Sequence, residues 1–260
     1  MLRPRIIPCL LVKDGGLVKT LRFGSPKYVG DPINAVRIFN EKEVDELIVL
    51  DIDATVQNRE PNYTMIANLA AECRMPLSYG GGVRTAEQVQ KIIGLGVEKV
   101  ALSAAAVKTP ELISEAAVRV GNQSVVVVMD VKKSGLLRRY EVYTHNGTRG
   151  TGLDPVTFAK QVVALGAGEV VVNSIDLDGE MKGYDLELIS RVREAITLPM
   201  TELGGAGSLK DIEDLIRAYG IIGAGAGSLF VFKGKYRAVL INYPSRAEKD
   251  ALFSSLMSNT

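Results

Sequence analysis

A closed (β/α)8 barrel is the fold class predicted for this chain of 260 residues. Three features predict it. Short apolar, β-branched runs alternate with amphipathic stretches along the whole sequence. Eight such units match the length of this barrel, and the second half of the chain repeats the first. An open, doubly wound sheet is the competing arrangement, and the repeat argues against it.

In order, the strand-like runs are RIIPCLLV (5–12), ELIVLDID (46–53), PLSYGGG (76–82), KVALSAA (99–105), SVVVVMDV (124–131), EVVVNSI (169–175), PMTELGG (199–205) and IIGAGAGS (221–228). Their continuous apolar character marks parallel strands covered by helices. Helical periodicity runs through DPINAVRIFNEKEV, TAEQVQKIIGLG, PELISEAAVRV, PVTFAKQVVALGAG, DLELISRVREAI and SLKDIEDLIRAYG between them. Several of these open on Thr, Ser, Asp or a first-turn Pro, residues that start helices.

PLSYGGGVRTAEQVQ from Pro76 aligns without a gap on PMTELGGAGSLKDIE from Pro199. In the same register Asp51-Ile52-Asp53 falls on Ser174-Ile175-Asp176, and IIPCLLVK (6–13) falls on VVVVMDVK (125–132) with a small shift. These matches imply one barrel domain, 1–260, made of half-barrels 1–120 and 121–244 with a tail, 245–260. The tail carries no decisive pattern.

Formal net charge is +1, so nothing in the bulk charge points to a nucleic-acid or anionic-membrane partner. No signal-peptide pattern opens the chain and no apolar run is long enough to span a membrane; a cytoplasmic protein is expected. Cys9 and Cys73 lie in or beside apolar runs and read as free thiols. The one histidine, His145, excludes a multi-histidine metal centre and sits in polar YTHNGTRG as a loop residue. No metal and no cofactor is expected.

In barrels of this class the site lies at the C-terminal strand ends. Those ends carry Gly80-Gly81-Gly82, Ser103-Ala104, Gly204-Gly205 and Gly225-Ala226-Gly227-Ser228. Glycine lets backbone N–H groups approach an anion, and a following helix start favours negative charge. Tight βα turns need glycine as well. The repeat sets Gly81-Gly82 against Gly204-Gly205, and Ser103-Ala104 against Ala226-Gly227. That pairing favours two anion sites and a phosphorylated ligand, the second site better formed because Ser228 adds a donor. The repeat also sets Leu11 against Asp130. Two carboxylates facing each other there would make an acid–base pair, and leucine removes one of them.

The opposite strand ends carry Arg5, Glu46, Lys99 and Glu169. Side chains alternate along a strand, so Arg5 shares a face with Ile7, Cys9 and Leu11, Lys99 with Ala101 and Ser103, and Glu169 with Val171 and Asn173. Glu46 joins them if Leu50 and Ile52 point inward, a parity that turns Asp51 away from the axis. Two cations and two anions fit a closed ring of ion pairs at the floor. Unpaired burial of such charges would cost several kcal/mol per ion. Small inward residues above, including Cys9, Ala101 and Ser103, leave room for a small uncharged molecule.

IIPCL near the start, LDI at 50–52, GGGVR at 80–84, EVYTHNGTRGTG at 141–152, SIDLDG at 174–179, GYD at 183–185 and GGAG at 204–207 make the chain resemble the HisF family over nearly its whole length. HisF is the cyclase subunit of imidazole glycerol phosphate synthase. The resemblance implies a half-barrel-duplicated fold, a HisH-type glutaminase docked at the barrel floor, and an ammonia route through the barrel. It implies that Arg5, Glu46, Lys99 and Glu169 gate that route, and that Asp130 is one of the family's two cyclase aspartates. Leu11 stands where the other belongs. Ser103 and Ala104 replace the family's Asn and Thr at the first phosphate site, and the loop GGLVKTLRFGSPKYVGD departs while keeping Lys19. Asp51, Asn173 and Asp176 complete the mouth residues expected to matter.

An altered cyclase site beside an intact gate resembles the HisF paralogues found with bacterial surface-polysaccharide genes, as do the LL at 10–11 and INYP at 241–244. In that group a HisH/HisF-type pair is thought to supply ammonia to an ATP-dependent N-sugar amidotransferase, which forms an acetamidino group in lipopolysaccharide biosynthesis. The leading expectation is therefore an ammonia-conducting subunit without histidine-pathway cyclase activity, with Asp130 kept as a structural or ligand-binding carboxylate. A working cyclase, converting PRFAR and ammonia to imidazole glycerol phosphate and AICAR with Asp51, Asp53 or Asp176 replacing the missing acid, ranks second. A non-catalytic assembly scaffold ranks third.

Overall fold

The structure is a computed structural model and describes residues 3–257. Eight parallel strands close into a ring: β1 (Arg5–Lys13), β2 (Leu47–Asp51), β3 (Leu77–Gly80), β4 (Lys99–Leu102), β5 (Val125–Ser134), β6 (Glu169–Ser174), β7 (Met200–Leu203) and β8 (Gly223–Ala226). Each pairs with the next, and β8 pairs back onto β1 with Arg5 opposite Gly223. The helices α1 (Pro32–Glu41), α2 (Tyr63–Glu72), α3 (Ala86–Gly94), α4 (Glu111–Val120), α5 (Pro155–Ala164), α6 (Leu186–Arg193), α7 (Leu209–Tyr219) and α8 (Arg246–Met257) follow the strands in turn. This is a (β/α)8 barrel.

The apolar runs are continuous because both faces of each strand are buried. Ile7, Cys9, Ile48, Ala101, Val126, Val128, Val171 and Leu203 fill the barrel interior, with Leu11 and Leu50 packed against them. The alternate residues, among them Ile6, Leu10, Val49, Val100, Val127 and Val170, pack under the helices. Each fully buried aliphatic side chain contributes roughly 1.5–3 kcal/mol. Ile48 and Leu50 facing inward settle the parity of Glu46, which points inward with them.

Six helices begin where a capping residue accepts a backbone N–H three positions on: Asp31, Asn62, Thr85, Asp154, Asp185 and Ser208. Ser208 and Asp211 cap each other reciprocally. The stretch after β1, expected as a loop, is a β-hairpin of Gly16–Leu21 against Gly24–Gly30 that also pairs with β1. Its turn residues, Arg22 and Phe23, take φ of 50° and 63°. Such two-residue turns are usually signalled by Asn-Gly, and Arg-Phe gives no such signal. β5 likewise continues into a hairpin with Arg139–Thr144, and Phe232–Lys233 pairs with Ala238–Val239 after β8.

The tail forms α8, and its last three residues lie outside the described ones. Lys249 fastens α8 to the floor by donating to Glu43 O at 3.1 Å and Asp45 Oδ1 at 2.9 Å. Tyr243 of INYP donates to Ile6 O at 2.8 Å. Among the described residues no helix is long and apolar enough to cross a membrane.

Candidate functional site

At the N-terminal strand ends the four charges form a closed, alternating ring. Arg5 donates to Glu46 and, through Nη2 at 2.7 Å, to Glu169 Oε1. Lys99 Nζ donates to Glu46 Oε1 and to Glu169 Oε2, each at 2.9 Å. Ser78 and Thr201, which the strand-start pattern did not reveal, complete the acceptors' shells. Ser78 Oγ donates to Glu46 Oε1 at 3.1 Å, and Thr201 Oγ1 to Glu169 Oε1 at 2.6 Å. Burial alone would raise the Glu169 carboxyl. The hydrogen bonds and charge of Arg5, with Lys99 and Thr201, outweigh it and hold Glu169 at about 2. Burial likewise opposes the Arg5 charge, and Glu169 and Glu46 together push it above its ordinary value.

Directly above the ring is a small void bounded by Ile48, Ser78, Ala101, Val126, Val128 and Val171, with ≈ 10 Å³ of room for the centre of a water-sized molecule. That is about the space one water needs. Ala101 and Val128 also wall a second cavity of ≈ 140 Å³ at the C-terminal strand ends. The barrel axis therefore carries a charged ring, a void and an open mouth, in that order.

The mouth gathers the residues singled out by the repeat. Leu11, Lys19, Asp51, Gly81, Gly82 and Ser103 line it, as do Asp130, Asn173, Gly204, Gly205, Ala226, Gly227 and Ser228. Asp130 Oδ1 accepts from Asn173 Nδ2 at 2.9 Å, and Oδ2 faces Ser103 Oγ at 3.5 Å. Burial lifts its carboxyl to about 7; the Asn173 and Ser103 hydrogen bonds pull the other way and the Asp178 charge adds to the rise. Asn173 Oδ1 is buried and has no hydrogen-bond partner among the described residues. The turn glycines are required whatever binds there. At Gly205, with φ +108°, a Cβ would stand 2.0 Å from Gly183 O.

Lys19 is buried, and its Nζ donates to Cys9 O at 2.6 Å. Burial lowers its pKa, with Cys9 and Asp178 opposing the fall. Burial raises the Cys9 thiol to about 12, so it is an apolar wall of the barrel. Cys73 is a half-buried free thiol.

The three aspartates considered as replacements for the missing acid each have partners, and of them only Asp51 lines the mouth. Asp51 Oδ1 accepts from the Asp53 and Ala54 N–H groups, both at 3.1 Å. Asp53 faces Lys13 at 3.5 Å, and Asp176 Oδ2 accepts from Lys133 N at 2.9 Å without lining the mouth. A third carboxylate of the mouth, beside Asp51 and Asp130, is Asp178. It accepts from Thr20 Oγ1 at 2.6 Å and Phe23 N at 3.1 Å. Asp176 and Asp178 both belong to SIDLDG, but the 3-10 turn at Ile175–Leu177 breaks the strand periodicity that would have chosen between them. His145, with φ of 53°, also reaches the mouth from its hairpin turn. No group of three or more His, Cys, Asp or Glu suited to a metal occurs among the described residues.

Residues 5–237 match the family described as histidine biosynthesis protein. A Leptospira interrogans relative, provisionally named imidazole glycerol phosphate synthase subunit HisF, is 58% identical over 253 residues, 97% of this chain and 100% of its own length. Relatives provisionally named as the same subunit, numbered hisF3 in Vibrio vulnificus and hisF2 in Pseudomonas aeruginosa, are 55% and 52% identical. These cover 96% and 94% of this chain, and 96% and 97% of their own lengths.

Proposed function

Because the chain belongs to the histidine biosynthesis protein family, we propose that it is the ammonia-conducting subunit of a glutamine-dependent amidotransferase, paired at its floor with a HisH-type glutaminase. The observation that carries the reading is the closed ring of Arg5, Glu46, Lys99 and Glu169 beneath a molecule-sized void. A neutral ring offers no net charge to hold an ammonium ion, and stripping that ion of water in the apolar section above is costly. Uncharged ammonia pays far less. Arg5 holds its acceptors through a planar fork, whereas Lys99 is a point charge on a flexible stem. Lys99 is therefore the member that swings aside to admit ammonia, and the void above receives it.

Leu11 faces the mouth in place of an acid, so the histidine-pathway cyclase activity is absent in this reading. Losing one member of an acid–base pair typically costs about 10²–10⁴ in rate. Ammonia then leaves for a third protein, an ATP-dependent N-sugar amidotransferase that builds acetamidino sugars for surface polysaccharide, in the cytoplasm. The paired glycine turns and Ser228 keep the capacity to hold a phosphorylated small molecule.

A second reading, a working imidazole glycerol phosphate cyclase, draws on Asp130. A carboxyl near 7 suits proton transfer at neutral pH, and Asp51 and Asp178 supply further carboxylates in the same cavity. Purified protein with PRFAR and saturating ammonia separates the two. Negligible turnover is expected, and robust formation of imidazole glycerol phosphate would overturn the first reading. In the full complex, Lys99→Trp should abolish glutamine-dependent product while sparing glutamine hydrolysis. Product formation unaffected by that block would favour a scaffold without a channel.

A further inference from the structure

Net charge conceals how charge is distributed. Three hairpins follow the C-terminal ends of β1, β5 and β8, and their outer segments, 21–30, 135–139 and 233–240, stand around the mouth. These segments hold seven of the chain's 31 basic residues and none of its 30 acidic ones. The rest of the chain is net acidic. Arg22 is neutralised by Glu180 at 2.9 Å, whereas Arg138, Arg139, Lys233 and Lys235 form no ion pair among the described residues.

The same tips carry large apolar side chains in full contact with solvent. Leu136 and Leu137 are 104% and 74% exposed, Tyr236 89% and Tyr28 67%. Across this rim Lys27 Nζ lies 5.6 Å from the Phe232 ring, which joins the first and third segments, and Phe23 packs beside Gly147 of the turn that follows the second hairpin. Exposed tyrosine, leucine and arginine clustered around a cavity have the composition of a protein-binding face.

We propose that this rim is the docking surface for a protein whose own face is acidic and bears apolar pockets, seated over the mouth. The unpaired cations favour an anionic counterpart, and steer it. The proposal rests on the ammonia-route reading only for what the docked protein does.

Photo-crosslinking in the native host tests it, with p-benzoylphenylalanine at Leu137, at Tyr236 and, as a control remote from the rim, at Val118. Both tips should capture the same protein, through a peptide of net negative charge, and Val118 should not. Arg138→Glu with Arg139→Glu should lower the capture yield at Tyr236 by at least about tenfold while the fold, read by circular dichroism, is unchanged. Different proteins at the two tips, an uncharged or basic captured peptide, or a yield unmoved by charge reversal would overturn it. So would binding of the purified chain to phosphatidylserine vesicles that the same reversal abolishes. No arm reads ammonia, so failure here is separate from failure of the floor test.

Discussion

Glu169→Gln provides a quantitative test of the ring. In the native chain the ring holds the Glu169 carboxyl at about 2, against an ordinary 4.5. Its folded value is depressed, so the ionised form favours the folded state. That contribution is complete above about 4.5 and is lost as pH falls towards about 2. A shift of this size corresponds to about 3 kcal/mol, and Glu169 is only 4% exposed, so solvent screens little of it. Glutamine keeps the shape and removes the charge. Urea unfolding at pH 7 should show a loss of about 3 kcal/mol, comparable to breaking other buried ion pairs. The gap between variant and parent should narrow between pH 4.5 and the lowest pH at which the parent still folds. A gap below about 1 kcal/mol at pH 7, or one that does not change with pH, would refute the ring as a buried, mutually neutralising unit.

Other positions give independent checks. Asp130 should titrate near 7 by carboxyl NMR, and Leu11→Asp should move that titration higher, because another carboxylate in the cavity disfavours ionising Asp130. Glu202 is fully buried on the outer face of β7 with neither oxygen partnered among the described residues. Glu202→Met should therefore raise stability by about 1–3 kcal/mol, seen as a higher melting temperature at neutral pH. Gly205→Ala should destabilise by more than about 2 kcal/mol or prevent folding, since its Cβ would collide with Gly183 O. Soluble, native-like Gly205→Ala protein would show that this turn can relax.

The sequence by itself determined the barrel. Eight apolar runs, their helical spacers and the internal repeat required parallel strands buried on both faces. Strand parity placed Arg5, Lys99 and Glu169 on the inner face beside the small residues above them. It also identified Leu11 and Asp130 as counterparts, because a repeat compares equivalent positions directly. Only tertiary structure decided the remainder. Glu46 needed the inward packing of Ile48 and Leu50 to fix its side. Ser78 and Thr201 entered the ring through cross-strand register, which local sequence does not encode. Asp178 displaced Asp176 at the mouth because a 3-10 turn interrupts the two-residue period. The basic, apolar-tipped rim was invisible in a net charge of +1, since charge counts carry no positions and the cations are spread over three hairpins far apart in sequence. Periodicity reports which face a residue takes within an element, whereas closure of the barrel decides which elements meet.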